Sequence, residues 1–119
     1  MTTPRERIDA AIWAHFAWFK RLREAVVEGE SRFPPESLER DNQCDLGKWI
    51  YDDLGSICDR GLYNRIRETH ATFHRQASQV LRMALDGDTT RAAKEIEVTS
   101  ELGKLSGRLV MLLRRIAAG

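Results

Sequence analysis

Three histidines and one of the two cysteines are the residues of this chain best suited to chemistry. His70-Ala-Thr-Phe-His74 spaces two imidazoles four residues apart, which on a helix sets them on adjacent turns of one face. His15 lies inside an earlier amphipathic stretch, and Cys44 opens the segment Cys44-Asp-Leu-Gly-Lys-Trp49. Three imidazoles and one thiolate form a complete tetrahedral set for zinc, with no position left for an activated water.

These residues need elements to position them, and the hydrophobic spacing is helical almost throughout. No stretch alternates like a half-buried strand. A first helix should start with Thr3 as N-cap and Pro4 at its first position. Its inward residues are Ile8, Ile12, His15, Phe19, Leu22 and Val26, the 4-3-4-3-4 seam of a bundle helix. Gly29 should end it. Residues 30–42 read as a connection, because Pro34-Pro35 opposes helix there.

A short helix from Cys44 to Asp52 should follow, then an irregular stretch bracketed by Gly55 and Gly61. The third helix should run from Leu62 to Leu85, with Ile66, His70, Phe73, Ala77, Val80 and Ala84 inward. Asp86-Gly87-Asp88 reads as a turn, with Asp88 the next N-cap. A single last helix should carry Val98, Leu102, Leu105, Leu109, Leu112 and Ile116 inward. The expected fold is all-α: an antiparallel four-helix bundle, three long helices plus one short helix carrying the cysteine, with residues 1–119 forming one domain.

His15 and His70 occupy seam positions otherwise held by apolar residues. Taken singly, each could be a core histidine satisfied by backbone or water. The joint pattern favours a metal: two helices each aim an imidazole into one core, and a third imidazole follows one turn later. Cys44 at a helix start is favoured as thiolate, the form that binds zinc. Leu46 and Trp49 should bury that short helix, and Gly47 allows close approach. Cys58 reads as a structural cysteine.

In order, the chain reads His15-Phe-Ala-Trp18, Cys44-Asp-Leu-Gly-Lys-Trp49 and His70-Ala-Thr-Phe-His74. These elements resemble the bacterial chemoreceptor zinc-binding (CZB) domain, whose signature is a histidine with a nearby tryptophan, Cys-x-Leu/Phe-Gly-x-Trp and His-x-x-x-His. The resemblance implies zinc held by His15, Cys44, His70 and His74, a helical homodimer and a regulatory role beside chemoreceptors or diguanylate cyclases. The chain carries neither an output domain nor a methyl-accepting coiled coil, so it reads as a free-standing member or a piece of a longer protein.

Composition excludes other classes. The formal net charge of +1, from 19 basic and 18 acidic side chains, offers no electrostatic partner such as nucleic acid or an anionic membrane. No apolar run approaches a membrane span and no signal peptide is visible, so a cytoplasmic protein is expected. With the histidines committed to metal no catalytic constellation remains, and no enzyme is expected. A diiron bundle would need Glu-x-x-His pairs, whereas Ile12, Arg67 and Ala71 stand three residues before the histidines. The expectation is a zinc-binding sensory domain responding to zinc or to cysteine oxidation. The alternatives are a purely structural zinc-stabilised dimerisation module or a metal-dependent helical-bundle enzyme.

A second stripe on the last helix, Ile96, Gly103, Ser106, Gly107 and Val110, reads as a surface for a partner copy. Glycine inside a helix costs about 1 kcal/mol relative to alanine, which close backbone approach would explain. The same glycines could instead accommodate a helix of the same chain or break the helix.

Overall fold

The computed structural model describes residues 4–30, 40, 45–97 and 100–118. Among these, helix α1 spans Pro4–Glu28, α2 Asp45–Asp52, α3 Arg60–Leu85, α4 Thr89–Glu95 and α5 Glu101–Ala118; a 3-10 turn covers Leu54–Ser56. The all-α bundle expected from the periodicity is what forms. Thr3, Pro34, Pro35, Cys44 and Val98 lie outside the described residues.

The seam of α1 is buried along its length, from Ile8 to Val26. The helix stops at Gly29, whose φ of +68° only glycine adopts freely. Its N–H donates to the Ala25 carbonyl at 2.9 Å. In α2, Leu46 and Ile50 are buried one turn apart, Gly47 is buried beside them and Trp49 is half-buried.

Helix α3 begins two residues earlier than the spacing predicts. The Asp59 carboxylate accepts from the Leu62 N–H at 2.8 Å and caps the helix, so Gly61 falls in its first turn rather than in a loop. Asp86 and Gly87 make the predicted turn, with Gly87 at φ +98°. Asp88 caps α4, accepting weakly from Arg91 N–H at 3.4 Å.

The last helix is two helices. Ile96 ends α4 and stays buried, and Ser100 restarts the chain by accepting from Gly103 N–H at 3.1 Å while donating to the Glu97 carbonyl at 2.6 Å. A serine preceded by two β-branched residues competes with helix continuation and favours a cap.

Two apolar clusters fill the bundle, and their membership gives the helix directions. One holds Ile8, Ile12, Leu46, Ile50, Leu54, Ile66, Leu109 and Leu113. The other holds Phe19, Leu22, Val26, Phe73, Ala77, Leu81, Leu102 and Leu105. Both α1 and α3 run from the first cluster to the second, and α5 runs back. Within the bundle α1 and α3 are therefore parallel, with α5 antiparallel to both, because α1 ends against Thr89 and Ala84 whereas α2 packs in the first cluster.

Candidate metal centre

The helical period carries each histidine to the boundary between the two apolar clusters. His15 lies between Ile12 and Phe19, and His70 between Ile66 and Phe73. All three imidazoles are buried, at 3%, 1% and 3% exposure for His15, His70 and His74. A polar layer thus crosses the core between the two apolar clusters.

The His70 and His74 side chains meet through their Nε2 atoms at 3.0 Å, with ring planes at 74°. Tetrahedral zinc with bonds of about 2.0–2.1 Å sets two ligand nitrogens about 3.3–3.4 Å apart. Their separation is therefore within a few tenths of an ångström of that between two imidazole nitrogens on one zinc ion. His15 turns its Nε2 to the Ser106 hydroxyl at 2.8 Å, a buried bond between α1 and α5.

Aromatic rings hold the imidazoles in place. Phe73, fully buried, has its ring centroid 4.8 Å from that of His15 and 5.9 Å from that of His74. Trp18 lies 4.9 Å from His74, and Phe19 lies 6.5 Å from His15.

Electrostatics favour the ligand form. Burial, and then the neighbouring His74, lower the His15 pKa from 6.5 to about 4. Burial, followed by His74 and His15, lowers that of His70 to about 2. Both rings are neutral at pH 7, the protonation state that metal binding requires. The mutual influence of all three places them in one electrostatic neighbourhood.

The structure brings His70 and His74 together and sets His15 in the same layer. Among the described residues no three His, Cys, Asp or Glu side chains converge as a finished cluster, and Cys44 lies outside those residues. The three imidazoles fit zinc in chemistry and burial, and His15 and His70 do so in protonation as well. Cys58, expected to be a buried structural cysteine, is only half-buried: its thiol donates to the Leu54 carbonyl at 3.5 Å, and burial, then Asp59, push its pKa up.

Ser106 is the site residue that sequence reasoning missed. Its spacing puts it in the small-residue stripe, yet Ile96, Ser106 and Val110 of that stripe are buried in their own chain. A lone hydroxyl flanked by Leu105 and Leu109 was the available signal.

No helix among the described residues is long and apolar enough to cross a membrane. Comparisons with curated proteins and with solved structures find no match. A family of chemoreceptor zinc-binding domains matches residues 15–81, a span that starts at His15 and extends past His74. The match covers more than half of the 119 residues, so the chain belongs to the chemoreceptor zinc-binding domain family, and zinc is its metal.

Proposed function

We propose that this chain is a non-catalytic zinc-responsive signalling domain in which His15, Cys44, His70 and His74 hold one zinc ion. The observation that carries the reading is the His70–His74 pair, two buried nitrogens 3.0 Å apart in the same layer as His15. Bound zinc supplies a positive centre that neutral imidazoles and a thiolate share, leaving no open position for substrate water. The chain's part is to keep the imidazoles neutral, oriented and dry.

Cys44 is the ligand that carries the signal. It directly precedes α2 in sequence, and α2 is held mainly by Leu46 and Ile50, whereas the histidines sit on long helices. An oxidant such as hypochlorous acid converts the thiolate to sulfenic acid and releases chloride (RS⁻ + HOCl → RSOH + Cl⁻), which weakens its hold on metal. Loss of zinc or of the thiolate then frees α2 for a partner of the chemoreceptor or diguanylate cyclase kind. Such chemistry suits a reducing compartment like the cytoplasm. The whole chain acts as one domain and pairs as a homodimer.

A purely structural zinc-stabilised dimer is the second reading, favoured by the exposed Trp13, Phe16 and Met111. Elemental analysis tests the first reading: one zinc per chain is expected in wild type and none in the His70→Ala/His74→Ala variant. Zinc content unaffected by that double substitution overturns it.

A further inference from the structure

Ser106 lies on α5, beyond the residues 15–81 that the family match covers, yet it is the hydrogen-bond partner of a ligand candidate. The bond joins residues 91 positions apart and is buried at both ends, with His15 at 3% and Ser106 at 8% exposure. Its neighbours on α5, Leu105 and Leu109, belong to different apolar clusters. Ser106 therefore occupies the same layer as the histidines, and its hydroxyl is the polar group α5 contributes there.

A neutral imidazole has one N–H and one lone pair, and the group bound at one nitrogen decides which atom faces the metal. Zinc-bound histidines generally donate their other N–H to an acceptor that fixes tautomer and ring angle. We propose that Ser106 is a positioning residue for the zinc site: His15 donates its Nε2–H to the Ser106 hydroxyl and presents Nδ1 to the metal. This rests on the zinc site proposed above. It makes α5 a reporter of that site, because a buried polar bond between α1 and α5 involves a proposed ligand.

The Ser106→Ala variant tests it. Alanine is the best helix former and leaves a smaller side chain, so the fold is retained and is checked by circular dichroism. Zinc affinity, measured by competition with a chromophoric chelator, should fall 10- to 100-fold. The same substitution in a His15→Ala background should change affinity less than twofold, which a merely structural role for Ser106 would not produce. Nitrogen-15 spectra of the zinc-loaded wild type should show His15 protonated at Nε2.

Three results overturn the proposal: unchanged or tighter zinc binding by Ser106→Ala, an equal loss in the His15→Ala background, or metal on His15 Nε2. Tighter binding would mean that the hydroxyl competes with zinc. Wild type that binds no zinc at all would instead defeat the zinc site itself, and this proposal with it.

Discussion

Trp18 sets its ring 4.9 Å from that of His74, tilted by 54°. An indole this close to His74 would sense the charge that zinc brings to the imidazole. Zinc titration of the metal-free protein should therefore change tryptophan emission, with the change reduced in Trp18→Phe to what Trp49 on α2 contributes. Trp13 is 73% exposed, so Trp13→Phe should leave the zinc response intact. A response that follows Trp13 would refute the assignment.

Phe73 is fully buried and touches His15, Trp18, Phe19 and His74. Phe73→Ala removes the ring around which the imidazoles pack. The expected loss is about 3–5 kcal/mol of metal-free stability, read from urea unfolding with chelator present. A loss below about 1 kcal/mol would show that the layer closes over without it.

The depressed pKa values of His15 and His70 fix the sign of a pH effect. In the unfolded chain both titrate near 6.5, whereas in the folded chain they hold off protons down to about 4 and about 2. Below pH 6.5 the unfolded state binds more protons, so stability falls as pH falls. Between pH 7 and pH 5 each histidine should cost the metal-free protein about 2 kcal/mol. The slope should flatten in His15→Leu, and an unchanged slope would contradict the buried neutral ring.

Oxidation should discriminate between the cysteines. The Cys58 pKa is raised, which leaves little reactive thiolate at neutral pH. A mild dose of hypochlorous acid on zinc-loaded protein should alter zinc content and tryptophan emission in wild type and in Cys58→Ser. Cys44→Ser should not respond. The reverse pattern would transfer the switch to Cys58.

The homodimer is expected to use the face between α1 and α5. Phe16, Phe19, Lys20, Arg23, Gly103 and Gly107 contribute to a groove there of about 350 Å³. The exposed Trp13 and Met111 stand on the same two helices, three residues before Phe16 and four after Gly107. A Cβ at Gly107 would meet nothing within 4 Å, so Gly107→Leu should leave the folded protomer intact and reduce the dimer to monomer in light scattering. A variant that dimerises normally would exclude this face.

The seams of α1 and α3 were legible because burial imposes a 3.6-residue period, and every predicted inward residue from Ile8 to Val26 and from Ile66 to Ala84 is buried. The His70–His74 pair was legible for the same reason. The parallel course of α1 and α3, with α5 antiparallel to both, agrees with an antiparallel bundle whose second helix is the short one. The break between α4 and α5 was hidden because Ile96 remains buried across it. Ser106 was hidden because a small residue beside glycines suits both an outward contact and an inward hydrogen bond, and only the partner, His15, decides between them.

The polar layer also governs alignment. Uniform seams of leucine, isoleucine and alanine would let one helix slip a turn along another at small cost. Here a one-turn slip of α1 would carry His15 away from Ser106 and into the apolar side chains of either cluster. A buried imidazole stranded there forfeits hydrogen bonding worth about 1–3 kcal/mol. The histidines therefore serve as a register mark for three helices, as a single buried polar residue does in a coiled coil. A bundle pinned at one depth gives any displacement caused at the metal a defined starting point.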